Sequence, residues 1–225
     1  MPPAAFVVAG GITEIVGGPS SGRTSLLVAC LRDVSRHGAI AALVDTDHVF
    51  DPAGAARAGV ELSRVLWVRC GRRPDRALRA ADLLVRCPGF ALIALDTGDL
   101  TPRLSLTMTY RLKLAVRRTG TALVVAARHR IAGSAAALAI ETSRRALQWA
   151  VQETGGVPTW PDYLDGGPDM APIPPNARSA AAKPWRSSIL PSRLERVGTA
   201  VRILRASGVA PDFRPGAVYL AWWSA

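Results

Sequence analysis

The chain has 225 residues, 49% of them hydrophobic, with 28 Lys or Arg against 17 Asp or Glu and a formal net charge of +11. This composition excludes a wholly disordered chain. It also excludes a helical membrane protein, because no apolar run reaches the roughly 18 residues of a spanning helix.

In chain order, residues 12–16 (ITEIV) are short, apolar and β-branched and predict a strand. Residues 24–36 place Leu26, Leu27, Cys30, Leu31 and Val34 at helical spacing, with Gly38 closing the run. Residues 39–45 (AIAALVD) form a continuous apolar run of the kind found in buried parallel strands. Asp51-Pro52 opens a short helix, with Asp51 as N-cap and Pro52 at its first position. A strand at 65–68, a helix at 74–87, a strand at 91–96 ending in Asp96, a helix at 104–118 and a strand at 121–126 follow, and a sixth strand is expected at 135–140. Strand and helix alternate throughout, which predicts an α/β fold with a mostly parallel sheet and helices on both faces. Proline is dense between 157 and 191, and two further strands are expected at 201–204 and 218–223, forming a terminal hairpin or a docking element. The expected organisation is therefore a nucleotide-binding core over 1–150, a Pro-rich linker over 151–192 and a small C-terminal β element over 193–225.

The stretch Gly17-Gly18-Pro19-Ser20-Ser21-Gly22-Arg23-Thr24 follows the phosphate-loop pattern G-x-x-x-x-G-K-[ST] except that Arg23 stands where the pattern has lysine. Between a strand and a helix, such a turn aims several backbone N–H groups and the positive end of the helix dipole at one point. Residues Gly17 to Ser25 are the candidate nucleotide cradle, and Thr24 would set its hydroxyl on Mg²⁺. The alternative is a glycine-rich turn without a ligand. Asp96 fits the second magnesium-holding position, and Asp47 is a candidate for activating the attacking water. In parallel sheets ligands sit beyond the carboxyl ends of the strands, where the loop, Asp45, Asp47 and Asp96 all fall. Arginine is longer than lysine and planar, so phosphate attraction survives while transition-state charge placement suffers. ATP or ADP binding with weak or absent hydrolysis is the expectation.

Arginine supplies nearly all the positive charge, since Lys113 and Lys183 are the only lysines. Arg72, Arg73, Arg76 and Arg79 fall in one cluster, Arg117 and Arg118 in another, and Arg130 in a third. Such clusters attract DNA or an acidic protein, or are solvated helix faces. Cys30, Cys70 and Cys87 lack metal-ligand spacing and read as reduced core thiols. The N-terminus lacks the basic start of a secretory signal, which points to the cytoplasm.

Residues 11–24 resemble the first strand and phosphate loop of the RecA recombinase core. Leu43-Val44-Asp45-Thr46-Asp47-His48-Val49-Phe50-Asp51-Pro52 resembles its F-I-D-A-E-H-A-L-D-P segment, and residues 58–62 continue the likeness. The resemblance implies that Asp47 stands at the catalytic glutamate, one methylene shorter. It places Asp51 at an adenine-contacting aspartate and Gly54 where a stacking tyrosine is lost. Asp96 falls at the Walker B aspartate, and Arg128 at the glutamine that senses the γ-phosphate. The DNA-binding loop expected after Arg130 is almost absent, and only about ten residues precede the first strand.

A short, arginine-rich RecA-like chain with such a site is most similar to the ImuA family. That likeness implies an accessory factor of SOS-induced translesion synthesis in the bacterial cytoplasm, with an ImuB-like protein, an error-prone polymerase, DNA and RecA itself as partners. The competing expectations are an active DNA-stimulated ATPase or recombination mediator, and a RecA decoy or cell-division inhibitor that binds no nucleotide.

Overall fold

The structure, a computed structural model, describes residues 6–100, 104–150, 193–207 and 218–224. Among the described residues, those up to 148 and those from 196 onward form one compact unit. The expected Pro-rich linker at 151–192 lies outside the described residues.

The order of elements is β1 (Ile12–Val16), α1 (Arg23–Arg36), β2 (Ile40–Asp45), α2 (Pro52–Arg57), β3 (Val65–Arg69), α3 (Pro74–Leu84), β4 (Phe90–Asp96), α4 (Leu106–Thr119), β5 (Ala122–Ala127), β6 (Leu138–Ala150), β7 (Arg193–Ala206) and β8 (Val218–Ser224). All strands belong to one eight-stranded sheet in the order β3-β2-β4-β5-β1-β6-β7-β8. Six of them, from β3 across to β6, pair in parallel, and β7 and β8 pair antiparallel. This is the expected α/β architecture.

β5 is apolar throughout, and β2 and β4 are apolar up to their terminal aspartates, because both faces of these strands are covered. On one face Leu26, Leu27, Cys30 and Leu31 of α1 pack on Ile15, Leu43, Ala94 and Val124. On the other, Ala77 and Ala81 of α3 and Leu112, Ala115 and Val116 of α4 pack on Val44, Ile93, Leu95 and Val125. Local signals fix the helix ends. Asp51 caps α2 by accepting a hydrogen bond from the Ala53 N–H at 3.0 Å, and Ser105 caps α4 by accepting from the Met108 N–H at 3.2 Å. Caps of this kind stabilise a helix by about 1 kcal/mol. Gly120, at φ 76°, closes α4.

The sheet runs further than the sequence pattern suggests. β6 continues through Glu141, Thr142, Ser143 and the two following arginines, and β7 starts at Arg193 rather than at 201. Both extensions lack a clean apolar period. The helix expected to reach residue 87 ends at Leu84. Cys30 and Cys70 are buried core thiols, as read, whereas Cys87 is exposed just beyond α3. Burial pushes the Cys30 thiol up to about 12. Among the described residues no helix is long and apolar enough to cross a membrane.

Candidate functional site

The carboxyl ends of β1, β2, β4 and β5 meet at one edge of the sheet. The Gly17 N–H donates to the Ala127 carbonyl at 3.2 Å, and the Thr46 N–H and hydroxyl both donate to the Asp96 carbonyl, at 3.1 and 2.7 Å. The Thr97 N–H donates to the Ala126 carbonyl. The loop 17–24, Asp45, Asp47 and Asp96 are thus brought together.

Gly18, Pro19 and Ser20 are exposed at the tip of the loop, and Thr24 and Ser25 are exposed on the first turn of α1. The helix begins at Gly22, at φ 89°, with no side-chain cap and no acidic residue in its first turn. Gly22 is required twice over: this φ disfavours other residues, and a Cβ there would collide with the Thr199 hydroxyl of β7. Ser21 and Thr142 of β6 share a hydroxyl–hydroxyl hydrogen bond of 2.9 Å, and the Thr142 hydroxyl also donates to the Val16 carbonyl at 3.2 Å. Two strands that follow the core therefore brace the loop from the side.

Arg23 does not extend over the loop. It is buried, and its guanidinium donates to the Gly17 carbonyl at 2.8 Å and to the Gly98 carbonyl at 2.9 Å. Asp99 stands 4.0 Å away. A planar fork can reach two carbonyls on separate loops, which one ammonium does not do as well. The guanidinium thereby ties the start of the phosphate loop to the turn after β4.

Asp96 is buried at the end of β4 and accepts from the Gly98 N–H at 2.8 Å. Burial above all, helped by the carboxylates of Asp45 and Asp47, holds its carboxyl above the usual range; the Gly98 N–H and the Arg23 charge pull the other way. Thr24 and Asp96 border the same narrow crevice, which is otherwise lined by α1, β2 and the segment after β2. Asp47 accepts from the Asp99 N–H at 3.2 Å through one oxygen, while its other oxygen is buried without a hydrogen-bond partner. Gly98, at φ 61°, leaves room for that carboxylate, which a Cβ would strike.

Two other carboxylates near the edge make local contacts in the protein. Asp45 accepts from the Val49 and Phe50 N–H groups and from the Trp67 indole N–H, at 3.1–3.2 Å. Asp51 is the N-cap of α2 and lies 3.7 Å from Arg57. Arg128 is exposed at the end of β5.

Glu14, in the middle of β1, is a residue that sequence reasoning passed over. It is 1% exposed and accepts from the Ile131 N–H at 2.6 Å, the Ala132 N–H at 2.5 Å and Arg130 Nε at 3.2 Å. Arg130 also donates to the Gly133 carbonyl at 2.6 Å. The segment after Arg128 is pinned to the core by this carboxylate, and Arg130, its side chain 37% exposed, pairs with it. A charge at the centre of ITEIV was the available signal. Thr142 and Thr199 carried none.

The basic residues separate into two groups. Arg72, Arg73, Arg76 and Arg79 are exposed near the carboxyl ends of the strands, with Arg73 paired to Asp75 at 3.1 Å. Arg117 and Arg118 are exposed at the C-terminal turn of α4, beside the opposite edge, where the Gly10 N–H donates to the Gly120 carbonyl. At that turn they also complement the helix dipole.

Two outcomes follow from these contacts. Glu14→Ala leaves buried donors without an acceptor and is expected to destabilise the protein by about 3 kcal/mol in denaturant unfolding; an unchanged midpoint would contradict the pin. Asp96 binds its proton more tightly folded than unfolded, so its stabilising share is present below its unfolded value of 3.8 and is lost as pH rises through the folded value. Asp96→Asn keeps an oxygen for the Gly98 N–H without the charge. It is expected to raise the melting temperature of the metal-free protein at about pH 7 and to flatten its fall from about pH 4; no rise at neutral pH would contradict this.

The protein called Protein RecA from Borrelia hermsii is 39% identical over 95 residues, covering 42% of this chain and 26% of that protein. Protein RecA from Bacteroides thetaiotaomicron is 36% identical over 95 residues, covering 42% and 28%, and that from Chlorobaculum tepidum 38% over 88 residues, covering 39% and 25%. The chain spans about a quarter of the length of these relatives. A crystal structure of the RadB recombinase superposes with a TM-score of 0.57 at 14% identity, covering 97% of this chain and 91% of that one, a likeness of fold. Residues 5–136, more than half of the chain, match the RecA N-terminal domain, and the chain belongs to that family.

Proposed function

We propose that this protein is a RecA-type accessory factor of DNA repair that binds ATP or ADP with Mg²⁺ and hydrolyses it slowly or not at all. The observation that carries the reading is the position of Arg23, whose guanidinium is held by the Gly17 and Gly98 carbonyls. The residues present fit a bound phosphate. The first turn of α1 has no side-chain cap, so its N–H groups and the dipole are left for an anion. Gly18 has open space around it. Thr24 and Asp96, on one crevice, would hold Mg²⁺, and the unpartnered Asp47 oxygen adds a third acceptor near it. Mg²⁺ bound there would neutralise phosphate charge. The chain's own residues supply the cradle, while Arg23 keeps its charge on the loop carbonyls and Arg128 replaces the sensing glutamine.

The narrower role is SOS-induced translesion synthesis in the bacterial cytoplasm, as in the ImuA family that the sequence resembles. An ImuB-like protein, an error-prone polymerase, DNA and RecA are the partners of that reading. The exposed arginines support binding to an acidic surface. The pinned segment after Arg128 supports a role other than forming recombination filaments.

A second reading, a RecA decoy that binds no nucleotide, is favoured by one feature: Thr142 and Thr199 brace the loop as a structural joint. Calorimetric titration and turnover separate these. The expectation is saturable ADP–Mg²⁺ binding, weakened at least about tenfold by Asp96→Ala, with ATP turnover near the blank with or without single-stranded DNA. Robust hydrolysis abolished by Asp96→Ala would overturn the weak-ATPase reading; no heat and no thermal shift would favour the decoy.

A further inference from the structure

The outer face of α4 is unusual for a helix packed on a sheet. Leu106, Tyr110 and Leu114 recur every fourth residue, so they form one stripe. They are 76%, 59% and 61% exposed, and Leu83 near the end of α3 is 66% exposed. None of them is needed by the core, which α4 meets through Leu112, Ala115 and Val116. Contiguous apolar surface rimmed by charge marks an interaction site more often than an accident of composition.

The rim is basic. Arg86, Arg111, Leu114, Ala115, Arg118 and Thr119 line a concavity of about 460 Å³. Among the described residues Asp82 is the acid shared there, accepting from Arg86 at 2.9 Å and from Arg111 at 2.8 Å. One carboxylate facing two guanidiniums leaves an uncompensated positive charge, and Arg118 makes no ion pair among the described residues. The face lies across the sheet from α1 and the phosphate loop.

We infer that the face formed by Leu106, Tyr110 and Leu114 of α4, with Arg86, Arg111 and Arg118 beside it, docks an acidic amphipathic segment of a partner protein. Charge complementarity selects carboxylates for the rim, and the stripe selects apolar side chains at helical spacing. A nucleic acid would satisfy the arginines and find one stacking surface on Tyr110, but it would leave Leu106 and Leu114 uncovered, because aliphatic side chains give bases no stacking surface. The inference deepens the partner-binding part of the proposed function and does not depend on nucleotide.

The test uses the full chain and a fluorescein-labelled helical peptide with leucines at every fourth position and glutamates between them, followed by anisotropy. The expected result is saturable binding, weakened at least about tenfold by Leu114→Ser and by Arg118→Glu, absent for the same peptide with lysine at each glutamate, and unchanged in Asp96→Asn. Both exposed positions tolerate substitution, and an unchanged melting temperature verifies this. No saturation by about 1 mM, or binding indifferent to both variants, would overturn it. A single-stranded oligonucleotide whose binding falls in Leu114→Ser would overturn it in favour of nucleic acid, and self-association abolished by Leu114→Ser would overturn it in favour of a second copy.

Discussion

The buried guanidinium of Arg23 is the constraint around which the site edge is organised. A cation this deeply buried must be paired or hydrogen-bonded, since its desolvation otherwise costs several kcal/mol. Here two carbonyls on different loops supply the bonds, and the carboxylates of Asp96 and Asp99 supply the counter-charge. The same interaction fixes the spacing between the phosphate loop and the turn after β4. That turn in turn positions Asp47, whose carboxylate rests against Gly98 and accepts from the Asp99 N–H. A residue that in the pattern G-x-x-x-x-G-K-[ST] serves a ligand serves the protein's own backbone here.

Two further contacts follow the same logic. Thr142 and Thr199 reach the loop from β6 and β7, so the strands that lengthen the sheet also brace Ser21 and Gly22. Glu14 holds the segment after Arg128 by accepting from two backbone N–H groups and Arg130. Each ties a part of the strand-end edge to a neighbouring element. Contacts of this kind support holding a ligand or a shape, and they favour the proposal of binding over turnover.

Much of this was legible in the sequence where one local signal sufficed. The apolar runs gave β2, β4 and β5 to within a residue or so, because strands buried on both faces carry no polar alternation. Asp51-Pro52 gave the start of α2 because cap and proline act locally. The Arg23 substitution announced altered chemistry, but not where the guanidinium would go, since Gly98 is 75 residues away. The length of β6 and β7 was hidden for the opposite reason: their polar residues, among them the Glu141–Arg202 pair, are accommodated by neighbours distant in sequence. Thr142 and Thr199 looked like ordinary strand threonines for the same reason. Arg130 read as a free basic residue because its partner, Glu14, lies 116 positions earlier.

The two faces of the molecule carry separate tasks in this account. The strand ends hold the degenerate phosphate loop, and α4 across the sheet presents apolar and basic surface outward. In the proposed function Arg23 stays on the backbone while the loop holds a nucleotide. A crystal structure of the protein grown with ADP and Mg²⁺ tests it most directly. The expected result is diphosphate density at the N-terminus of α1, with the Arg23 guanidinium still on the Gly17 and Gly98 carbonyls. Arg23 swung onto the phosphates, with those carbonyls released, would contradict it.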